Sequence, residues 1–226
     1  MIKIFSHPRS GTHFLEAFVA KNFYPNRDLS VKNLSWGHWS NSQTKELNPY
    51  GQLFGGHHLP LKTFRLKPKP ILYIYRDGRA VAYSVWNTPN FLNEKMSQLS
   101  FSEFLRTPID WKGSPSKRAE QGLTIIEHWS KHVEEWKRLK GNIVLISYEE
   151  LLQNPEKIYR KILLRCFPLE CYKLYNNLPV KTIDRPLGIL PNKGTKDSWK
   201  EVFTKEDLLY FEQNVPEWLF EIYKET

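Results

Sequence analysis

Three segments of this chain carry residue types that can hold an anion, and a fourth carries a base. Ser6-His7-Pro8-Arg9-Ser10-Gly11-Thr12-His13-Phe14-Leu15 joins an apolar run, Ile2–Phe5, to a stretch with helical spacing. Gly11 permits tight curvature. Thr12 stands where a helix begins, and the free N–H groups of a helix start form an anion site. Arg9, Ser10 and Thr12 add a cation and two hydroxyls. The same residues also describe an ordinary strand-to-helix turn capped by Ser10 or Thr12. In Tyr73-Ile74-Tyr75-Arg76-Asp77-Gly78-Arg79, Arg76 leaves an apolar run, and Ser84 follows eight positions later. A guanidinium fork suits a phosphate, but in isolation Arg76–Asp77 is also a surface pair. Lys193 and Gly194 lie in a basic loop that by itself reads as solvated. Gly55-Gly56-His57-His58-Leu59-Pro60 offers imidazoles that titrate near neutrality. Further ligands at metal-binding spacing are missing around them, so no metal is expected.

The elements that must position these residues are legible as alternating patterns. Ile2–Phe5, Gln52–Phe54, Ile71–Tyr75 and Ile143–Ser147 read as buried strands. Thr12 to Lys21 and Gly78 to Trp86 read as helices. The longest helical stripe runs from about Lys117 to Lys140, with Leu123, Ile126, Trp129, Val133, Trp136 and Leu139 on one face and Gly141 to stop it. Pro155–Cys166 follows Asn154, a candidate N-cap, with Pro155 in the first turn. Lys205–Gln213 is a further helix. Strands alternating with helices predict an α/β fold with a central, mainly parallel sheet flanked by helices. Pro25–Tyr50 and Asn87–Pro115, rich in polar residues, Trp and Pro, read as long surface segments.

Composition narrows the function classes. The chain has 226 residues, 40% hydrophobic and 14% aromatic, which excludes a disordered protein and fits one domain over residues 1–226. Cys166 and Cys171 are too few for a disulfide scaffold or a zinc cluster. No apolar run approaches the roughly 20 residues of a membrane span. The first residues, Met1 to Pro8, lack the apolar core of a signal peptide, so the expected location is cytoplasmic. A net charge of +9 points to an anionic partner. A G-x-x-x-x-G-K-[ST] loop is absent, and the third strand ends in Arg76 where a magnesium site would want an acidic residue. That combination suits a nucleotide bound without metal.

Pro8-Arg9-Ser10-Gly11-Thr12 resembles the P-[KR]-[ST]-G-T loop of sulfotransferases that use 3′-phosphoadenosine 5′-phosphosulfate (PAPS). The resemblance implies that this loop cradles the phosphosulfate and that Arg9 acts on its bridging oxygen. The cofactor set then covers Arg9, Ser10, Gly11, Thr12, His13 and Phe14, with Phe14 in place of a Trp that stacks on adenine. Tyr73, Arg76 and Ser84 match the family's Y-x-x-R and following Ser, which bind the 3′-phosphate. Lys193, Gly194, Trp199, Lys200, Phe203 and Thr204 resemble the family's closing segment R-K-G-x-x-G-x-W-K-x-x-F-T, with Asn192 and Asp197 as departures. Tyr148 in Ser147-Tyr148-Glu149-Glu150-Leu151 corresponds to a Tyr that contacts adenine. His58-Leu59-Pro60 resembles the segment whose His removes the acceptor's proton. Gly56 stands where a catalytic Lys is usual; Lys62 is the nearest cation that could substitute there, and Arg79 is a candidate to compensate for Asn192.

The resemblance covers Pro8 to Thr204 in the family's order. It implies a fold akin to nucleotide kinases, with about five strands, PAPS as cofactor and PAP as product. It also implies sulfuryl transfer to a hydroxyl, or amine, of a small-molecule or glycan acceptor, with no nucleic-acid partner. Trp36, Trp39, Phe91 and Trp111 are candidates to line the acceptor pocket or to pack loops. Two alternatives stand beside this reading. One is a phosphotransferase of kinase type, opposed by the missing loop lysine. The other is a basic nucleic-acid-binding module, opposed by the scatter of Lys and Arg along the chain. The family's C-terminal dimer motif is unmatched, which leaves the oligomeric state open.

Overall fold

A computed structural model describes residues 2–25, 53–67, 69–88, 92–112, 122–139, 141–171 and 197–219. Among them the strands are β1 (Lys3–Ser6), β2 (Phe54–Gly56), β3 (Ile71–Tyr75) and β4 (Ile143–Ser147). The helices are α1 (Thr12–Phe23), α2 (Gly78–Trp86), α3 (Glu94–Ser97), α4 (Phe101–Arg106), α5 (Ile125–Arg138), α6 (Tyr148–Gln153), α7 (Pro155–Cys166) and α8 (Lys205–Asn214). The chain divides into two compact units, Met1–Tyr75 with Trp136–Leu190, and Arg76–Glu135 with Pro191–Thr226.

The first unit holds the sheet. Its four strands are all parallel, in the order β2-β1-β3-β4. The strand side chains alternate between two cores, as period two requires. Ile4, Leu72, Ile74, Val144 and Ile146 gather with Leu15, Phe18 and Val19 of α1 and with Ile158 and Ile162 of α7. On the opposite face Phe5, Ile71 and Tyr73 gather with Phe64, Trp136 and Leu139. Trp136 is fully buried and stacks on Tyr73, with ring centroids 4.9 Å apart. A sheet covered on both faces explains the unbroken apolar runs of β3 and β4.

Three expected elements need correction. The second strand is β2, Phe54–Gly56, rather than Gln52–Phe54; Gln52 lies outside the described residues. Phe5 fills the space a Cβ on Gly55 would occupy, so glycine is what lets this edge strand approach. The long helix begins at Ile125, not near Lys117. Thr124 and Glu127 bond reciprocally there, with Thr124 N–H donating to Glu127 Oε2 at 2.8 Å and Glu127 N–H to Thr124 Oγ1 at 3.3 Å. The stretch from Asn87 to Pro115 is not simply a surface segment. It contains α3 and α4, and Leu92, Met96, Phe104, Leu105 and Trp111 are buried. The two thiols are free, Cys166 half-buried and Cys171 exposed.

In the second unit, α4 and α8 are joined through one carboxylate. Ser100 and Thr204 each close a capping box on their helix. Asp207, the acidic member of the α8 box, accepts from Arg106 at 2.6 Å and from Ser102 at 2.7 Å. Burial pushes its carboxyl up, but the bonds from Arg106, Ser102 and Thr204 outweigh it and hold the group below the ordinary carboxylate value. A folded pKa below the unfolded one gives stability that is complete above the unfolded value and is lost as pH falls through the folded one. Asp207→Asn is therefore expected to cost about 1–3 kcal/mol at neutral pH. The wild type should approach the variant in stability as pH falls below about 4. Urea midpoints measured across the acid range check both statements.

Candidate active site

Parallel pairing brings the carboxyl ends of the strands to one edge. Ser6 lies opposite Ile74, Tyr75 opposite Ser147, and Phe5 opposite Gly56. β1 has β2 on one side and β3 on the other, so the chain reverses its direction of travel across the sheet there. In open α/β sheets ligands bind at such a switch point, outside the carboxyl ends of the strands. The residues that follow these ends are His7 to Gly11, Arg76, Tyr148 and His57-His58.

The loop after β1 is built around Gly11. Gly11 is the N-cap of α1 with φ 88° and ψ 24°, a left-handed conformation that glycine adopts without penalty. A Cβ there would also strike the ring of Tyr148. With glycine in this position, no side chain caps the first turn of a twelve-residue helix. Arg9 is held at φ 65°, left-handed for a residue with a Cβ, which concentrates backbone strain in the loop. Ser10 Oγ is fully buried and finds no hydrogen-bond partner among the described residues. An unpaired buried hydroxyl costs about 1–3 kcal/mol, so the loop carries a donor awaiting an acceptor. Thr12 Oγ1 bonds Ser6 Oγ at 2.6 Å. His57, buried at 9%, places Nδ1 2.8 Å from the Ser6 carbonyl and 3.1 Å from Ser6 Oγ. A polar line thus runs from His57 through Ser6 to the first residue of α1.

The two expected adenine contacts are brought together. Tyr148 opens α6, and its ring meets Phe14 edge-on with centroids 5.9 Å apart. Tyr148 is 8% exposed, so one face of the ring is spent on the loop. His58 is half-buried, its Nδ1 2.8 Å from the Leu59 carbonyl and its ring edge-on to Phe5 at 5.3 Å. The indole N–H of Trp136 donates to the His58 carbonyl at 3.2 Å, which fixes the backbone of this segment. Gly56 sits at φ 144°, where a lysine would be strained, and Lys62 is exposed at the start of the 3-10 turn Lys62–Leu66. At the end of β3, burial together with the charges of Glu150 and Glu149 pushes the Tyr75 hydroxyl up to about 12.

In the second unit, Arg76, at 9% exposure, precedes α2, and Ser84 is buried within that helix. The Arg76 carbonyl accepts from the Trp129 indole at 3.1 Å. Asp77 pairs with Arg79 rather than with Arg76, at 2.6 Å, and caps α2 by accepting from the Arg79 N–H at 2.8 Å. The Arg79 guanidinium stacks on Trp199, 4.1 Å from the ring centre. Arg79 is thereby engaged by Asp77 and Trp199. Trp111 is buried against His128, at 5.8 Å, as a packing residue. Burial, with help from Lys131, pushes His128 down to about 4, so it is neutral at physiological pH. Lys193, Gly194, Trp36, Trp39 and Phe91 lie outside the described residues.

The family described as "Sulfotransferase domain" matches residues 2–164, well over half of the chain and across both units. The chain belongs to the sulfotransferase family. Rat sulfotransferase 1A1 is 25% identical over 191 residues, 73% of this chain and 62% of its own length. Macaque sulfotransferase 2A1 is 27% identical over 177 residues, 70% of this chain and 56% of its own length. The chain therefore spans about three fifths of the length of those relatives. A guinea-pig 3-beta-hydroxysteroid sulfotransferase is 31% identical, covering 88% of this chain and 76% of its own length. Mouse sulfotransferase SULT7A1 complexed with PAP shares the fold at a TM-score of 0.58 and 21% identity, over 94% of this chain and 81% of the mouse chain. Retinol dehydratase in complex with androsterone and PAP follows at 0.53 and 19%, over 94% and 78%. Among the described residues no helix is long and apolar enough to cross a membrane, and no group of three or more His, Cys, Asp or Glu side chains is placed to hold a metal.

Two features of this candidate site escape sequence reading. His57 sits beneath the loop through Ser6, and buried Glu16 bonds His13. Only the second leaves a trace, the i,i+3 spacing of a pair on one helix face. Gly11→Ala tests the loop. A left-handed alanine costs roughly 1–2 kcal/mol, and the Tyr148 ring must also move. The thermal midpoint should fall by about 2–4 °C per kcal/mol. Pyrophosphate binding, measured by calorimetry, should be lost in the folded variant.

Proposed function

We propose that this sulfotransferase transfers a sulfuryl group from PAPS to a hydroxyl, or amine, of a small-molecule or glycan acceptor. One observation carries the reading: Ser10 Oγ, buried and unpartnered, stands beside the open N-terminus of α1 in a loop shaped by Gly11 under Tyr148. That donor set fits a phosphosulfate, which offers several acceptor oxygens and no donor at neutral pH. Relatives support the choice: the mouse sulfotransferase and the retinol dehydratase were each solved with PAP, and the guinea-pig enzyme is named for a hydroxysteroid.

When bound, PAPS supplies the sulfuryl group and leaves as PAP. The protein's own residues do the remaining work. The α1 amides, Ser10, Thr12 and His13 hold the 5′ end, and Phe14 and Tyr148 face the adenine. Arg76, Ser84, Lys193 and Gly194 hold the 3′-phosphate, a group that ADP and AMP lack. Arg9 places fixed positive charge where the leaving oxygen gains negative charge, as in phosphoryl transfer. His58 takes the acceptor's proton. Its Nδ1–H donates to the Leu59 carbonyl, which leaves the Nε2 lone pair as the base. His57, by contrast, spends its Nδ1 on Ser6 and supports the loop from below.

Nucleotide choice is the first test. PAP should bind far more tightly than 5′-AMP in calorimetry, by about a hundredfold if two charge-assisted bonds serve the 3′-phosphate. Equal affinities would remove the assignment. The paired histidines give the second test. His58→Ala should lower turnover by at least about 10²-fold while PAP affinity stays near the wild-type value. His57→Ala should instead raise KM for PAPS, because it loosens the support under Ser6 and Thr12. An inactive His57→Ala beside an active His58→Ala, both folded and both binding PAP, would move the base by one residue.

A further inference from the structure

The segment between β2 and β3 carries a surface that none of the chemistry above uses. From Leu47 to Arg76 the chain has no Asp or Glu, and Lys62, Arg65, Lys67 and Lys69 fall within eight residues. They surround the 3-10 turn Lys62–Leu66, in which Phe64 is buried and Lys62, Thr63, Arg65 and Leu66 are exposed. Three residues make one turn of such a helix, so residues three apart share a row. Phe64 turns its row inward, onto Phe5 at 5.1 Å and Trp136 at 5.8 Å between ring centroids. The row of Lys62 and Arg65 and the row of Thr63 and Leu66 are left outward. Leu66 is 85% exposed, and Leu61, just before the turn, is 44% exposed. Lys67 and Lys69 are exposed beyond it. Among the described residues none of these four cations pairs with a carboxylate. The turn packs at the amino end of β4, where a Cβ on Gly141 would lie 3.2 Å from the Arg65 Cα. The patch therefore belongs to one edge of the parallel sheet and the loop after β1 to the other, about 16 Å apart along a strand of five residues.

We propose that this face docks on an anionic lipid surface, with the four cations among the headgroups and Leu61 and Leu66 in the apolar boundary beneath them. Charge alone would suit any polyanion. The leucines narrow the choice. An acidic peptide or a nucleic-acid backbone pairs with the cations but leaves Leu66, between Arg65 and Lys67, in water. An anionic bilayer meets both, because its apolar boundary begins directly below its charged surface. Cations and leucines adjoin twice along the segment, at Leu61-Lys62 and at Arg65-Leu66-Lys67, as a layered surface requires. Phe64 holds the turn in shape beforehand, so docking costs little order. Neither signal suffices by itself: two leucines bury too little for attachment, and exposed cations are screened by salt. Together they give reversible binding. Docking by this edge covers neither the loop after β1 nor the nucleotide site, so it stands independently of the nucleotide reading.

Co-sedimentation of the full chain with vesicles forms the test. Phosphatidylcholine vesicles with roughly a third phosphatidylserine should bind it, and phosphatidylcholine alone should bind it at least about tenfold more weakly. Raising salt from about 0.1 M to about 0.5 M should release it. Leu61→Ser with Leu66→Ser keeps the net charge of +9 and should weaken binding about tenfold. Arg65→Gln, Lys67→Gln and Lys69→Gln together should weaken it about a hundredfold, near fivefold for each charge. Because the whole chain is basic, the deciding comparison removes three exposed cations elsewhere. Arg160→Gln, Lys161→Gln and Arg165→Gln on α7 should cost far less. Equal losses in the two triple variants would mean attraction by net charge alone and would overturn the proposal. Unchanged binding in the leucine variant would also overturn it, in favour of an acidic protein or a nucleic acid on the cations. All the substituted residues are exposed, and thermal midpoints near the wild-type value show that the variants fold. Should one not fold, the wild type decides: failure to bind the phosphatidylserine vesicles at low salt overturns the proposal.

Discussion

The pairing of β1 between β2 and β3 is the constraint from which the site follows. Its main chain is satisfied on both sides, and Ile4 is wholly buried and Phe5 nearly so, on opposite faces of the sheet. A strand held this way cannot slip by one residue without turning Ile4 out of one core and Phe5 out of the other. Because every neighbour is parallel, fixing β1 also fixes where β2, β3 and β4 end. The loop from His7 to Gly11, the His57-His58 pair and Tyr148 are each the next residues after a strand whose last position is locked by this register.

What the register positions, a buried polar line then stiffens. Ser6 is fully buried, and its two oxygens meet His57, while its hydroxyl also meets Thr12. In a medium of low dielectric such bonds are strong when complete, and an unmade one is costly. The loop is complete below, at Ser6, His57 and Thr12, and incomplete above, at Ser10. The proposed phosphate-accepting role accounts for that asymmetry, and an ordinary turn does not. A turn with no ligand gains nothing by leaving a buried hydroxyl unpaired or by holding Arg9 in a left-handed conformation.

Much of this was legible in the sequence where local chemistry decides the outcome. α2 over Gly78–Trp86 and α7 over Pro155–Cys166 are found at their expected bounds. Asp77 caps the first, and a proline in the first turn starts the second, even though Asn154 makes no side-chain cap. β3 and β4 follow from unbroken apolar runs, which only a doubly covered sheet explains. The elements that escaped are those decided by distant residues. β2 lies two residues beyond its expected span, and the ring of Phe5 over Gly55 shows why glycines belong in this strand. The helices after Asn93 and Ser100 are short and hidden in a polar stretch, and their apolar residues become core only once the second unit forms. The motif residues of the loop were visible, yet the feature that gives them direction, the Ser6–His57 contact, joins positions fifty-one apart.

One departure from the family pattern has a backbone cause at the end of β2. Gly56 stands at a φ of 144°, a conformation in which a lysine would be strained, and Lys62 is exposed in the turn that follows. His13 follows Thr12 in the first turn of α1 and meets buried Glu16 at 2.9 Å. A group on a helix anchored to its core by Phe18 and Val19 is held more firmly than one on a long exposed side chain, so the groups at the start of α1 keep a set direction toward the loop with little further ordering.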